Sequence, residues 1–382
     1  MHQRRQRQEK TECFLPILAV ILWLEIWSIV IAKLFFHAYG QVPLFCGCSI
    51  PVFMLTSSSA KSKPVGKIDS FVFSPEDIAL KDDAFHRSKA LHFTEWWYFD
   101  ATLENGYSVQ LSVRVLSALK QGLVFLRVDI YKDGHVVSHE RKTYLMSNVN
   151  FSCEAPLIEI AGKQVMRGYI DKNTGNWIYD LSFVIKNTSA ELQFIGCTKG
   201  WKGKLRGGDW WGVILPRAEV KGRITVNSKI LEIAGIGYHD HNWEVKVFAV
   251  MNVGWFWGKV NSESYTMTWA TILQTRLLSN PLIIVNTKNQ GYLNVDPKRI
   301  RFTAEDFRKD RGKLVPHLFT LDAHNEMISF HVTMEVLKIH HVRIMLIMNY
   351  WRYHVKCIGS ITVDSKEETI DETHIAEFVR FR

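Results

Sequence analysis

Alternation of hydrophobic and polar residues is the dominant pattern of this chain from residue 71 to its end. Side chains of a strand point alternately to its two faces, so a period of two predicts strands with one buried face. In the first half, the clearest runs are residues 108–115, 124–131, 177–185 and 190–195. In the second half, strands are predicted at residues 264–272, 282–285, 327–334 and 376–381.

Turn sequences separate many of these runs and indicate antiparallel hairpins. Asn105-Gly106, Asp133-Gly134 and residues 173–176 are turn formers between alternating segments. No stretch after residue 60 predicts a long amphipathic helix. Short helical turns are predicted only at residues 75–78 and 303–307, the latter from a spacing like that of a capping box. Antiparallel strands in such number usually close into barrels or sandwiches, so the predicted fold class is all-β.

The first 60 residues follow a different pattern. Residues 13–36 are apolar apart from Glu25 and Lys33, and they are about long enough to cross a bilayer. Basic residues precede them, which predicts a cytosolic N-terminus and β domains outside the cytosol. A cleaved signal peptide is the alternative, although the segment is long for one. We therefore predict a single-pass membrane protein, with a Ser-rich linker at residues 56–64 leading to the folded part.

Aromatic residues are abundant, with 13 Trp, 12 Tyr and 22 Phe. Aromatics are favoured in strands and line apolar pockets, so they indicate either a hydrophobic ligand cavity or a densely packed core. The net charge is +9, but part of it lies in the N-terminal head and no nucleic-acid-binding motif accompanies the rest. We therefore expect no nucleic-acid partner, and a basic surface fits anionic lipid headgroups equally well.

The six cysteines define no disulfide framework. Three of them precede residue 50, and Cys153, Cys197 and Cys357 are far apart in the sequence. One disulfide among these last three is compatible with a location outside the cytosol, but it would leave an odd thiol.

The densest group of potentially reactive side chains is in residues 235–243 (GIGYHDHNW), which we expect to form a strand. Alternation places His239, His241 and Trp243 on one face, and Tyr238, Asp240 and Asn242 on the other. Burying so many polar groups is costly unless they are paired. The segment therefore indicates either an active site or a buried polar network that fixes the packing of two sheets.

Two further motifs accompany this segment: residues 92–100 (HFTEWWYFD) and residues 254–258 (GWFWG). Together with the linking strand at residues 210–222, they resemble the lipocalin-like family that includes carotenoid 1,2-hydratase (hydroxyneurosporene synthase) and the AttH-type proteins. The resemblance covers roughly residues 85 to 382 and implies two lipocalin-like antiparallel barrels packed together. The expected organisation is a head, anchor and linker (1–60), an N-terminal barrel domain (61–250) and a C-terminal barrel domain (251–382).

The resemblance also implies a chemistry, namely cofactor-free addition of water to an isoprenoid or polyene double bond. Protonating an alkene requires an acid that an apolar site keeps protonated, and aromatic faces that stabilise the cation. The candidate catalytic residues are Asp240, His239, His241 and Glu95. The candidate substrate-binding residues are Trp96, Trp97, Tyr98, Tyr238, Asn242, Trp243, Trp255, Trp257 and Tyr265.

The chain departs from the carotenoid hydratases at two positions. The strand after residues 254–258 carries no carboxylate where one is expected, and Glu244 occupies the usual place of a Gly. Hydration, isomerisation and cyclisation therefore all stay open, as does a non-catalytic carrier of the same fold. An attachment or envelope-maintenance protein is a third possibility. The His-x-His pair also resembles a metal pair, but no third ligand is evident, so we expect no metal and no cofactor.

Overall fold

The computed structural model describes residues 73–90, 92–118, 121–205, 207–245, 252–274, 281–287, 291–344 and 348–381. The described chain is all-β, as the alternating pattern predicts, and all its strand pairs are antiparallel. The predicted membrane anchor at residues 13–36 lies outside the described residues. Within the described residues, no helix has the length and apolar character needed to cross a membrane.

The first half of the described chain forms one 13-stranded sheet. Its strands are β1 (Glu76–Asp77), β2 (His92–Leu103), β3 (Tyr107–Ala118), β4 (Gln121–Lys132), β5 (His135–Leu145), β6 (Val149–Phe151), β7 (Leu157–Ile160), β8 (Lys163–Ile170), β9 (Trp177–Ile185), β10 (Thr188–Gly196), β11 (Trp201–Lys204), β12 (Trp210–Val226) and β13 (Lys229–Val245). The main path runs β5-β4-β3-β2-β13-β12-β10-β9-β8-β7-β6, and β11 pairs with both β1 and β12.

The second half forms a nine-stranded sheet in the order β17-β16-β15-β14-β22-β21-β20-β19-β18. Its strands are β14 (Asn252–Asn261), β15 (Tyr265–Gln274), β16 (Leu282–Thr287), β17 (Gly291–Asn294), β18 (Ile300–Asp310), β19 (Lys313–His324), β20 (Ile328–Ile344), β21 (Met348–Val363) and β22 (Lys366–Phe381). Short 3₁₀ turns complete the described structure: η1 (Leu80–Asp83), η2 (Glu104–Gly106), η3 (Met146–Asn148) and η4 (Pro297–Arg299).

The first sheet curls into a nearly closed barrel, whereas the second is closer to a half-barrel. Edge strand β5 approaches the β9–β10 turn, where the Ser138 and Thr188 hydroxyl oxygens are 2.7 Å apart. Lys186 Nζ donates to Glu140 Oε2 at 2.7 Å across the same seam. Curling encloses a large aliphatic and aromatic core inside the first sheet, and a second core fills the concave side of the other sheet.

A third hydrophobic cluster, which we call the aromatic layer, lies between the two sheets. It is formed by Phe73, Tyr98, Trp201, Trp211, Val213 and Tyr238 from the first half of the chain and Trp257, Ala270, Leu282 and Ile284 from the second. The Trp257 ring centroid lies 5.1 Å from that of Tyr238 and 5.8 Å from that of Tyr98. The aromatic layer therefore joins β2 and β13 of one sheet to β14 of the other.

The two predicted helical turns are wrong. Residues 75–78 contain the short strand β1, and residues 303–307 lie within β18. At the second place, the Glu305–Leu318 and Phe307–Pro316 pairs keep the same register, but the pairing is interrupted at Asp306, whose φ is 49°. The polar residues that resembled a helix cap belong to a local irregularity in an edge strand. No disulfide joins Cys153, Cys197 or Cys357 within the part of the chain described here.

Candidate active site

Strand β13 carries two polar groups on opposite faces, as alternation predicts. It pairs with β2 so that His239, Asp240 and His241 oppose Phe99, Tyr98 and Trp97. The imidazoles face the interior of the first sheet, where the His239 ring stacks 3.7 Å from the Phe99 ring. Asp240 faces the aromatic layer instead. The structure therefore separates the candidate acid from the histidines that were expected to act with it.

The first group, which we call the imidazole–carboxylate cluster, consists of Asp83, His86, Glu95, His239 and His241. Nε2 of His239 lies 3.0 Å from Asp83 Oδ2, and its Nδ1 lies 3.0 Å from the Tyr98 carbonyl. His241 is placed between two carboxylates, with Nε2 3.0 Å from Glu95 Oε1. Its Nδ1 is 3.1 Å from Asp83 Oδ1, within ion-pair distance but not aligned as a hydrogen bond. Two anions and their imidazole partners thus share one enclosed space.

Electrostatics in this cluster favour charged forms despite burial. Burial alone would lower the pKa of His241, but its contacts with Asp83 and Glu95 raise it to about 9. Burial alone would raise the pKa of Asp83, but His239 and His241 lower it to about 2. The pKa of Glu95 is likewise lowered, because His241 and His86 outweigh its burial. Mutual charge compensation therefore explains how these groups tolerate the interior.

Asp240 has the opposite character. Its Oδ2 accepts hydrogen bonds from the Tyr238 hydroxyl at 2.9 Å and from the Trp211 indole at 3.0 Å. Among the described residues, the only hydrogen-bond contact of its Oδ1 is a long one of 3.5 Å with the Asn242 amide. Burial raises the pKa of Asp240 to about 7, and the nearby carboxylates of Glu377 and Asp100 add to this, while the two hydrogen bonds oppose it. Asp240 is thus a carboxyl group that burial keeps partly protonated near neutral pH.

A buried ionic network continues from Asp240 along the same layer and was not predicted. Asp100 pairs with Lys259 of β14 and accepts from the Tyr98 hydroxyl at 2.9 Å. Arg352 of β21 donates to that hydroxyl oxygen at 2.8 Å. Glu377 of β22 accepts from the Tyr350 hydroxyl, and burial raises its pKa. Lys259, Arg352 and Glu377 are far from residues 238–243 in sequence. Only the packing of the two sheets in the structure identifies them as neighbours of this strand.

The predicted aromatic residues are divided between the two faces. Tyr98, Tyr238 and Trp257 surround Asp240 in the aromatic layer, and half-buried Trp96 and Trp255 pack against its edge. Trp97 and Trp243 lie on the other side, where their rings stack at 4.4 Å on His241 and His86, respectively. Tyr265 packs in the core of the second sheet. The structure therefore does not bring Tyr265 to Asp240.

A cleft of about 690 Å³ opens between the sheets further along β13. Its walls include Ala234 and Ile236 of β13, Arg217 and Glu219 of β12, and Glu372–His374 of β22. Ile236 shares a face of β13 with Asp240, four residues away, or about 13 Å along a strand. The cleft and the carboxyl group therefore lie on the same face of the same strand.

Two groups within the described residues have the composition of a metal site: His86, Glu95 and His241, and separately Asp129, His139 and His340. His241 thus has potential metal-binding partners, whereas its neighbour His239 is directed to Asp83 and belongs to neither group. His86, which lies in the loop before β2, is a candidate partner of His241 that the sequence did not reveal.

Comparison with solved structures places this architecture among known folds. A putative AttH protein from Nitrosomonas europaea matches with a TM-score of 0.60 and 12% identity, over 79% of this chain and 96% of that one. Kievitone hydratase from Nectria haematococca matches with a TM-score of 0.53 and 12% identity, over 83% of this chain and 96% of that one. The chain has a lipocalin-like fold.

The likeness is one of fold. No known family profile matches the sequence, and no curated protein matches it. The AttH branch of the expected resemblance is supported at the level of fold, whereas the specific resemblance to carotenoid 1,2-hydratase stays a prediction.

Proposed function

We propose that the protein binds an isoprenoid or polyene between its two sheets and transforms it by acid-assisted hydration, isomerisation or cyclisation. The observation that supports this most directly is the enclosed Asp240 carboxyl group in the aromatic layer. Oδ2 is fixed by Tyr238 and Trp211, so Oδ1 is the oxygen available to transfer a proton. An acid that stays protonated in an apolar site is what protonation of a carbon–carbon double bond requires.

The aromatic rings around Asp240 supply the second requirement. Protonation of an alkene generates a carbocation, which the faces of Tyr98, Tyr238 and Trp257 can stabilise by cation–π interaction. The ligand would enter along β13 from the cleft at Ile236, where Arg217 and Glu219 can hold a polar end. A shaped apolar cavity would contribute by orienting the chain. The proposed function thus uses the aromatic layer as the reaction chamber.

A non-catalytic carrier is the alternative. The absence of a carboxylate from the strand at residues 265–269 favours it, because that is where carotenoid hydratases are expected to have one. Glu377 weakens this argument, since β22 flanks β14 on its other side and Glu377 is paired with Trp257. Charged groups so close to Asp240 are of little use to a carrier of pure hydrocarbon.

The test combines lipid extraction with isotope labelling. One portion of purified full-length protein is extracted with organic solvent for mass spectrometry. A second, unextracted portion is incubated with neurosporene or lycopene in H₂¹⁸O. Hydration introduces ¹⁸O, cyclisation or isomerisation changes retention without the label, and a carrier returns its ligand unchanged.

Asp240→Asn is expected to abolish turnover while ligand binding persists, since the amide keeps the shape and most hydrogen bonds of the carboxyl group. Asp364→Asn, a change at an exposed turn of the second sheet, is the matched control and should leave turnover unaffected. Undiminished turnover in a folded Asp240→Asn protein would end the case for that residue.

A further inference from the structure

Three side chains converge at the entrance to the imidazole–carboxylate cluster. His86 Nδ1 lies 3.1 Å from Glu95 Oε1, and His241 Nε2 lies 3.0 Å from the same oxygen. The donor atoms of His86, Glu95 and His241 all lie within 4.8 Å of one another. The ligand atoms of a four-coordinate zinc ion lie about 3.3 Å apart when its bonds are about 2.0 Å long. The three groups are therefore already spaced nearly as metal ligands would be.

A buried oxygen in this place has no partner within the described residues. Glu95 is fully buried, and its Oε2 makes no hydrogen bond. Such an atom is costly unless something binds it. The neighbouring Asp83 is also fully buried, so two carboxylates occupy the same small region. A free carboxylate oxygen beside a second buried carboxylate is an environment that a bound cation can stabilise.

The surroundings orient the imidazoles as metal ligands are usually oriented. The Asp83 carboxylate faces Nδ1 of His241, which leaves Nε2 directed at Glu95. A carboxylate behind a histidine is the usual arrangement that fixes the ring of a metal-bound imidazole. The stacked rings of Trp97 and Trp243 hold His241 and His86 from the sides. Little rearrangement is needed before an ion could bind.

We propose that His86, Glu95 and His241 bind one divalent transition-metal ion, with Zn²⁺ as the first candidate. Two histidines and a glutamate form a known zinc ligand set that leaves a fourth position for water or substrate. The open position would face the His86 side, because the side chain of His86 is 24% exposed whereas that of Glu95 is fully buried. Asp83 acts as a positioning residue through His241. This site lies on the face of β13 opposite Asp240 and does not depend on the proposed function.

The second His–carboxylate group provides a contrast. Asp129, His139 and His340 also converge, but the Arg127 guanidinium forms an ion pair with Asp129. A fixed positive charge beside the carboxylate opposes binding of a cation. We therefore expect His340 to make no contribution to metal binding, which makes His340→Gln the matched control for His86→Gln.

The experiment titrates chelator-treated, full-length protein with Zn²⁺ by calorimetry and with Co²⁺ by visible absorption. Wild type and His340→Gln should bind with equal affinity. His86→Gln and Glu95→Gln should each lose more than about tenfold in affinity, the lower limit being the loss typical of second-shell changes. Thermal unfolding without metal checks that each variant is folded. We expect His86→Gln to disturb folding less than Glu95→Gln does, because the side chain of His86 is partly exposed.

Three results would overturn the proposal. One is wild-type protein that binds neither ion. Another is binding that His86→Gln and Glu95→Gln leave unchanged. The third is a Co²⁺ spectrum dominated by thiolate charge-transfer bands, which would assign the ion to cysteines, since His86, Glu95 and His241 contain no sulfur.

Discussion

Adjacent side chains in residues 239–241 have different preferred protonation states because their surroundings differ. His241 lies between Asp83 and Glu95, which favour its protonated form. Asp240, one residue away, lies among aromatic rings. In the described part of the chain its hydrogen-bond donors are all neutral groups, so burial favours its neutral form. The sequence predicted which face each residue would occupy. It could not predict Asp83 and His86 as partners, because both lie in or after a 3₁₀ turn that carries no motif.

Glu244 has a backbone conformation that is unfavourable for any residue with a side chain. Its φ is 56°, in the left-handed region that favours Gly, and it occupies the position where the family resemblance implies a Gly. Replacing it with Gly relieves a strain of about 1 kcal/mol. We expect Glu244→Gly to raise the free energy of unfolding by up to that amount in urea titrations.

Glu232 provides the control for that prediction, since it is exposed on the same strand and has no positive φ. Glu232→Gly should lower the free energy of unfolding by about 0.5–1 kcal/mol, because Gly loses more backbone freedom on folding. Equal losses for both variants would mean that Glu244 is not strained.

At the level of strands and turns, alternation predicted much of the structure. The run at residues 177–185 coincides with β9, and the runs at 108–115 and 124–131 lie within β3 and β4. The Asp133-Gly134 turn has φ values of 49° and 76°. Alternation carries no information about which distant strands become neighbours, so the pairing of β2 with β13 and the network through Lys259 and Arg352 could not be predicted. Capping-like polar spacing failed at residues 303–307 because the same residue types occur where an edge strand is locally irregular at Asp306.

Gly254 marks the place where β14 passes close to β22. A Cβ atom built there would lie 1.9 Å from the Val379 carbonyl oxygen, and its φ is 155°. Gly254→Ala must displace backbone and is expected to lower the free energy of unfolding by about 2–4 kcal/mol. Gly175 has a φ of 74°, and no atom of the described residues lies within 4 Å of a built Cβ, so Gly175→Ala should cost only about 1 kcal/mol. Chemical denaturation of both variants measures the difference, and similar losses would refute the close approach.

At the scale of the whole molecule, polar contacts as well as the aromatic layer join the two sheets. His354 of β21 is buried, with Nε2 2.9 Å from the Ser108 hydroxyl of β3. Burial, assisted by the nearby charge of Arg352, lowers its pKa from 6.5 to about 3. Between these pH values the unfolded chain binds more protons than the folded chain, so acidification reduces stability. The junction between the sheets is therefore sensitive to acid.

We expect lowering the pH from 7.5 to 4.5 to reduce the stability of wild type by on the order of 2 kcal/mol more than that of His354→Gln. Urea unfolding at the two pH values measures this difference. Exposed His324, changed to Gln, is the control and should behave as wild type does. A His354→Gln protein with the acid sensitivity of wild type would show that other groups are responsible.

The membrane tether remains a proposal for the intact protein. If residues 13–36 form a single span with the basic head in the cytosol, the β domains lie outside. Protease added to intact protoplasts should then digest the domains and leave a small membrane-bound fragment. Complete protection, lost only after lysis, would contradict this orientation.

The alternation along β13 also limits how this protein can change during evolution. Substitutions can alter the histidine face or the aspartate face separately, because each contacts a different set of neighbours. A one-residue insertion or deletion in the strand would instead exchange the faces, moving Asp240 among the carboxylates and the imidazoles into the aromatic layer. Both groups would be lost in one step. Length variation among descendants of this sequence should therefore accumulate in turns such as residues 173–176, and the interval from Gly235 to Trp243 should keep a constant length.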